Sequence, residues 1–182
     1  MSDAAISQPW LQDRRIAHLL GLWRAARPAP NRLPGRAASD PLTLGAELLP
    51  YAALIEATDN ATRFRFRLVG SRLAEHAGLD LTGHYIEDLN PNREYVEYVN
   101  GLYRQARDEG LPVYSETRYR APSGRVGLTR RLTCPLAADG RNVDMFVAVQ
   151  VFETDDRDGD APTYTYAASF QPGILKALAD AD

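Results

Sequence analysis

Hydrophobic and polar residues alternate strictly over residues 62–69, which is the clearest strand pattern in the chain. Phe64, Phe66 and Leu68 occupy one set of alternate positions, and three arginines occupy the other. Period two places the apolar side chains against a core and leaves the guanidinium groups in water or near acids outside the sheet. Together with the strand pattern of residues 51–58 and the turn between them, this segment predicts a β-hairpin.

Two other segments repeat their apolar residues at helical spacing. Residues 10–26 predict an N-terminal helix, with Pro9 suited to its first turn and Pro28 ending it. Residues 91–110 predict the longest helix of the body, because their apolar residues recur three and four positions apart. The stretch between the hairpin and this helix, 71–90, predicts only short helical turns.

Three further strands are predicted over residues 113–120, 125–136 and 143–153. In the last of them both alternating sets are mostly apolar, so we expect this strand in the centre of the sheet. A central last strand must lie beside the first one. The prediction is therefore an α+β fold with a five-stranded antiparallel sheet of order 2-1-5-4-3 and helices crossing one face.

Breaker-rich and acidic stretches delimit this body. We divide the chain into an N-terminal helix with a Pro- and Arg-rich linker (1–40), the body (41–153), and an acidic tether with a C-terminal tail (154–182). The tail alternates like a strand over 163–170 and predicts a short helix over 172–181. It is suited to pairing with a sheet edge or with a partner chain.

Composition narrows the class of protein. The chain has 182 residues, 45% of them hydrophobic, which fits one globular domain. Its net charge of -3, from 21 basic and 24 acidic residues, does not favour nucleic acid as a partner. The single cysteine, Cys134, indicates a reducing compartment, and no apolar run has the length of a membrane helix. We expect a cytoplasmic protein without a membrane partner.

The order of the predicted elements resembles that of a PAS domain. The segments FRFRLVGSRL (64–73) and DLTG (80–83) are similar to the core signature of a family of bacterial stand-alone PAS-like proteins. The resemblance covers residues 19–152, and its remaining short motifs are LWR (22–24), DP (40–41), LLP (48–50), and PL (135–136) before DG (139–140). It implies a PAS fold that acts in signal transduction, by binding a small molecule or by docking to other signalling proteins.

A cavity between the long helix and the sheet is the expected ligand site. We predict that it is lined by Phe66, Leu68, Tyr95, Val99, Leu102, Leu132 and Met145, with His84 or Tyr95 orienting a small apolar or aromatic ligand. The alternative is that these side chains simply fill the core, because protein interiors pack densely. The residues leave this choice open.

We expect no cofactor and no metal. His84 is the histidine best placed to hold haem, but no apolar slot around it marks a haem site. In light-sensing relatives the flavin-reactive cysteine lies on a helix near the connector, whereas Cys134 lies on a predicted strand. We therefore interpret it as a buried structural thiol. No cluster of histidines and carboxylates has the spacing of metal ligands.

The N-terminal helix carries more apolar surface than a short arm can bury alone. Trp10, Leu19, Leu22 and Trp23 favour a homodimer through this helix, and the alternative is docking within the chain.

Three functions follow from these predictions. The first is a sensory or regulatory module that binds a small molecule and acts on a separate signalling protein. The second is a ligand-free interaction adaptor, and the third is a small enzyme or carrier, which needs an acid–base pair in the cavity. Because no nucleophile elbow, phosphate loop or HExxH motif is present, we do not expect an enzyme.

Overall fold

The structure, a computed structural model, describes residues 8–90, 92–120, 126–154 and 169–179. Its antiparallel sheet consists of β1 (Ala52–Thr58), β2 (Arg63–Val69), β3 (Val113–Arg120), β4 (Val126–Leu136), β5 (Met145–Thr154) and β6 (Ser169–Ala177). The α-helices are α1 (Arg14–Ala25), α2 (Pro41–Leu48), α3 (Ser71–Ala77), α4 (Ile86–Leu89) and α5 (Arg93–Glu109).

The strand order is β2-β1-β5-β4-β3-β6, so β5 lies between β1 and β4 in the centre of the sheet. Both faces of β5 are buried, as its two apolar sets of alternate residues require. The predicted α+β fold and the order 2-1-5-4-3 are therefore confirmed, with one additional strand at the β3 edge.

This sixth strand comes from the C-terminal tail. The predicted helix over 172–181 is wrong, because the chain is extended to Ala177 and pairs with β3 from Val113 to Arg120. The open edge of β3 offers backbone donors and acceptors that a strand can satisfy, whereas Pro172 and Gly173 weaken a short helix. Most of the strand predicted over 163–170 lies outside the described residues.

One face of the sheet is covered by α1. Trp10, Leu19 and Trp23 are 4%, 1% and 2% exposed, Leu22 is half-buried, and all four pack against the sheet of the same chain. The Nε1 of Trp23 donates a hydrogen bond to the carbonyl oxygen of Pro135 at 2.7 Å. The predicted homodimer interface through these four residues is therefore wrong, because the chain already buries them, and docking within the chain is what occurs.

The Pro- and Arg-rich linker is held against the turn between β4 and β5. The amide of Leu33 donates to the carbonyl oxygen of Gly140 at 3.0 Å, and the amide of Ala137 donates to that of Pro34 at 2.9 Å. Since α1 and β6 also pack on the body, the described parts of the segments 1–40, 41–153 and 154–182 pack together.

The other face of the sheet is covered by α3, α4 and α5. Helix α5 begins after Asn92, whose Oδ1 accepts a hydrogen bond from the amide of Tyr95 at 3.1 Å, and ends at Gly110 with a φ of 64°. Its apolar side packs with Phe64 and Phe146 in a buried cluster on the face of the sheet opposite α1. The helices therefore enclose a space above the central strands.

Candidate functional site

Two small cavities adjoin between the helices and the sheet. The polar cavity is lined by His76, Tyr95, Tyr98, Ser115, Thr117, Tyr119, Thr129, Arg131, Gln150 and Phe152. The apolar cavity is lined by Ala53, Phe66, Leu73, Leu81, Tyr103, Arg131, Ala148, Gln150 and Phe152. Their free volumes are about 30 Å³ and about 20 Å³, so each has room for a water molecule or two. Arg131, Gln150 and Phe152 border both.

The helix-facing surface of the central strands is unusually polar for a protein core. Five of the eight buried polar or charged residues in the described chain lie there: Ser115, Thr117, Arg131, Thr133 and Gln150. They alternate along β3, β4 and β5 with residues that face α1, such as Tyr114 and Leu132. Burying a polar group costs free energy unless its hydrogen bonds are replaced. This concentration distinguishes the surface beneath the cavities from the apolar face beneath α1.

Arg131 is the charged group of this surface and is only 5% exposed. Its Nη2 and Nε donate to the Oε1 of Gln150, directly opposite on β5, at 2.8 and 3.2 Å. The amide is neutral, so this pair keeps the positive charge of the guanidinium. Burial raises the pKa of Tyr103 in the apolar cavity, and the charge of Arg131 acts against that increase.

Aromatic rings form the walls of the polar cavity. The rings of His76 and Phe152 are stacked, with centroids 3.5 Å apart and an interplanar angle of 16°. On the α5 side, the hydroxyl of Thr117 donates to the hydroxyl oxygen of Tyr98 at 3.2 Å. Phe170 of β6 packs beside Tyr98, with ring centroids 5.7 Å apart. The C-terminal strand therefore contributes to the surroundings of this cavity.

Tyr119 lies across Gly127 on the neighbouring strand. A Cβ atom at position 127 would lie 2.2 Å from the Cζ atom of Tyr119, far inside van der Waals contact. The two residues face each other in the β3–β4 ladder. Glycine at 127 thus leaves the space in which the Tyr119 ring reaches the polar cavity.

Four of the predicted lining residues lie on the helix side of the sheet. Phe66 borders the apolar cavity and Tyr95 borders the polar one. Val99 and Leu102 are buried in the same cluster, but neither is among the residues that border the two cavities.

Three others lie on the opposite face, and their placement in the cavity is corrected. Leu132 and Met145 pack in the cluster beneath α1, because the alternation of β4 and β5 turns their neighbours toward the helices instead. In β2 a bulge at Arg67 pairs Phe66 with Ile55 but Leu68 with Leu54, which packs on the α1 side. One extra residue in the strand therefore turns Leu68 to the other face.

His84 is also not part of this site. Its side chain is exposed on a turn, and its carbonyl oxygen accepts a hydrogen bond from the amide of Phe66 at 3.0 Å. It is not among the residues that line either cavity, so a haem held through His84 has no support in this geometry.

Cys134 is fully buried beneath α1, on the face of the sheet away from the cavities. Burial raises the pKa of its thiol. A flavin that reacts with this cysteine does not fit the arrangement, because the sheet separates the thiol from the cavities. Within the described ranges, no group of three or more His, Cys, Asp or Glu residues is arranged to hold a metal ion. No described helix is long and apolar enough to cross a membrane.

The sheet, its helices and the cavities between them define the class of the protein. The chain matches the family model of the PAS domain over residues 11–150. It belongs to the PAS domain family. The match includes α1, and PAS domains are typically sensory domains that bind small molecules.

The solved structures that are similar to this chain are distant in sequence. The LOV domain of the blue-light photoreceptor Aureochrome1 is 12% identical, and the likeness covers 60% of this chain and 85% of that chain with a TM-score of 0.43. A PAS domain from Colwellia psychrerythraea is 13% identical, and the likeness covers 61% of this chain and 95% of that chain with a TM-score of 0.43. A LOV protein from Rhodobacter sphaeroides is 10% identical, and the likeness covers 80% of this chain and 69% of that chain with a TM-score of 0.43. No curated protein matches the chain significantly.

Proposed function

We propose that the protein is a sensory or regulatory module that binds a small molecule in the two adjoining cavities and acts on a signalling partner protein. The observation that carries this proposal is the Arg131–Gln150 pair, buried where the polar and apolar cavities meet. We further propose that it works in the cytoplasm, without enzymatic activity, and without nucleic acid or membrane as partners.

The energetics of the polar surface support ligand binding. A buried hydroxyl or amide without a full set of hydrogen bonds costs about 1–3 kcal/mol. The Oγ1 atom of Thr133 is buried without a hydrogen-bond partner among the described residues. A core selected only for stability would place apolar residues at such positions. Retaining hydroxyls and a guanidinium there suits a surface that recognises a polar molecule.

The partner contact is best placed on β6. This strand forms one edge of the described sheet, and its Ile174 and Leu175 are 38% and 46% exposed. An edge strand presents backbone groups that another chain can pair with. A homodimer also remains a proposal, and β6 is the surface we propose for it because the apolar residues of α1 are already buried.

A ligand-free adaptor is the second candidate, and the small volume of the cavities favours it. A domain whose core is filled by its own side chains would signal by docking alone. The enzyme or carrier is disfavoured, because the described residues that line the cavities include no carboxylate to form an acid–base pair with His76.

Native mass spectrometry of freshly purified protein separates these functions. A retained small molecule supports the sensor, and an empty domain that binds none of the small molecules offered to it supports the adaptor. An absorbance spectrum between 350 and 550 nm tests for haem and flavin. A chromophore in that range would overturn the proposal that the protein has no cofactor.

A further inference from the structure

We propose that the N-terminal segment, residues 8–25, and the end of β6, residues 176–179, release from the sheet together as one cooperative unit. Their release would leave the first residues of β3 as the edge of the sheet. The proposal concerns the folded chain itself and goes beyond the sensory function, because it needs neither a bound ligand nor a partner protein.

Leu178 joins the two segments. It lies just after β6, is 1% exposed, and packs in the buried cluster that also contains Leu19 and Trp23 of α1. Its amide donates a hydrogen bond to the carbonyl oxygen of Pro112 at 2.7 Å, directly before β3. Because this cluster lies between α1 and the sheet, the burial of Leu178 depends on the docking of α1.

Two further contacts join the segments on either side of Leu178. The Nζ atom of Lys176 lies 4.4 Å from the centroid of the Trp10 ring, which is the geometry of a cation–π contact. The Nη2 atom of Arg24 donates a hydrogen bond to the carbonyl oxygen of Ala179 at 2.8 Å. The N-terminal segment therefore contacts the end of β6 both near its beginning and near its end.

Trp10 also packs against the strand next to β6. Its ring lies edge-on to that of Tyr114, with centroids 6.1 Å apart and an interplanar angle of 64°. Tyr114 faces Lys176 in the β3–β6 ladder. The indole is thus adjacent to both strands at the place where they pair. Removing it would weaken the end of the ladder as well as the docking of the N-terminal segment.

The middle of β6 is less firmly held. Residues 171–175 are all exposed. The register with β3 shifts between Ser115 and Thr117, and Pro172 has no amide hydrogen to donate. Side-chain packing therefore holds this strand mostly at its two ends, through Phe170 at the first and through Leu178 at the second.

The coupling of the two segments is reciprocal. If the N-terminal segment stabilises the end of β6, the end of β6 stabilises the docking of the N-terminal segment by the same factor. Segments that share their contacts open together, as cooperative subglobal units. Opening would expose the sheet face beneath α1 and, at the same time, the backbone groups of Val113 and Tyr114, which another strand can pair with.

Hydrogen exchange of the full chain, followed by mass spectrometry, tests the coupling. Leu178→Ala should speed amide exchange about tenfold or more both in residues 174–179 and in α1, while exchange in α5 changes less than about twofold. Leu102→Ala is the matched control, because Leu102 is also 1% exposed but belongs to α5 on the other face of the sheet. It should speed exchange in α5 and leave α1 and residues 174–179 within about twofold of the unsubstituted chain.

The reverse direction is tested from the N-terminal segment. Trp10→Ala should speed exchange in residues 174–179, including the amide of Leu178, about fivefold or more. Trp10→Phe keeps an aromatic ring beside Lys176 and should have a smaller effect of the same kind. Exchange in α5 again serves as the reference.

If Leu178→Ala speeds exchange in residues 174–179 but leaves α1 unchanged, the two segments open independently and the proposal is wrong. Equal acceleration in α1, residues 174–179 and α5 would mean that the whole domain unfolds, which also contradicts it. Should Leu178→Ala not fold, the two Trp10 variants decide the matter through residues 174–179. A retained small molecule does not enter these measurements, so the proposed sensory function is tested separately.

Discussion

The ring of Phe170 on β6 packs edge-on against the ring of Tyr95 on α5, with centroids 5.2 Å apart and an interplanar angle of 79°. This contact joins the C-terminal strand to the helix that borders the polar cavity. Tyr95 was predicted from the sequence as a ligand-orienting residue, whereas the contribution of Phe170 depends on β6 pairing with β3. The contact gives the strand a direct connection to the surroundings of the polar cavity.

Replacing Phe170 with alanine should loosen β6. The aromatic contact contributes about 0.5–1.5 kcal/mol beyond its buried area, so its loss should speed the exchange of β6 amide hydrogens by about two- to tenfold. Hydrogen exchange followed by mass spectrometry measures this. Ile174→Ala, a truncation on the same strand at a more exposed position, is the control. Equal acceleration in both variants would show that the ring contact does not hold the strand.

Gly127→Ala should destabilise the protein through Tyr119. The new methyl group would collide with the tyrosine ring, and such overpacking typically costs about 1–3 kcal/mol. Tyr119→Ala introduced in the same chain removes the collision. Urea denaturation of the two single variants and the double variant should show a double-mutant loss smaller than the sum of the single losses. Additive losses would mean that the glycine acts through something other than this ring.

Gly70 and Gly21 should respond oppositely to alanine. A Cβ at position 70 would lie 2.2 Å from the carbonyl oxygen of Leu49 and 2.4 Å from that of Pro50, and backbone atoms cannot yield as a flexible side chain can. At position 21, within α1, a Cβ would have no atom within 4 Å apart from its chain neighbours and the backbone of its own helix. We expect Gly70→Ala to lose about 3 kcal/mol or more and Gly21→Ala to gain about 0.5–1 kcal/mol. Thermal and urea unfolding measure both, and a tolerated Gly70→Ala would contradict the close approach.

Trp23→Ala should lower the free energy of unfolding without changing the oligomeric state. Removing a large buried aromatic side chain costs about 3–5 kcal/mol. Trp23→Phe keeps most of the packing but leaves the carbonyl of Pro135 without the indole donor, and it should cost about 1–3 kcal/mol. Urea denaturation and light scattering measure the two properties. A dimer that dissociates on Trp23→Ala while each subunit stays stable would restore the helix as an interface.

Cys134 should resist alkylation in the folded protein. The thiolate is the reactive form, and burial raises the pKa of this thiol while α1 blocks access to it. At pH 8 we expect iodoacetamide to modify the native protein at least about a hundredfold more slowly than the urea-unfolded protein. Mass spectrometry at timed intervals measures both rates. Trp23→Ala, which loosens α1, should speed the native reaction, and a fast reaction in the unmodified chain would place the thiol at the surface.

The central position of β5 could be predicted because both of its alternating residue sets are apolar, which only a doubly covered strand explains. The cavity floor could not be predicted in the same way. Thr117 lies between Glu116 and Arg118, and Arg131 follows Arg130, so period two alone does not assign these positions to a buried face. Their burial follows from the helices α3 and α5 that lie over this face, a tertiary contact that the pattern of β3 and β4 does not contain.

The docking of α1 accounts for two of the three lining residues that the structure places on the other face. Because the residues of β4 and β5 that pack beneath α1 are apolar, Leu132 and Met145 belong to that side, and the polar set faces the two cavities. Leu68 differs because a bulge interrupts the alternation of β2 after Phe66. One signal could have located the cavities: Arg131 shares its face of β4 with the hydroxyl-bearing residues Thr129 and Thr133. The central strand β5 already required cover on both faces of the sheet, so this polar set had to lie under a helix as well.

The docking of α1 also has a consequence for regulation by other proteins. The sheet surface that it occupies is reachable only by a molecule that first displaces the helix. Because helix and sheet belong to one polypeptide, such a molecule must compete with α1, which is present at an effective concentration on the order of millimolar. A weakly binding regulator would therefore bind elsewhere on the molecule. A partner bound to this surface of the sheet would show that α1 has dissociated from it.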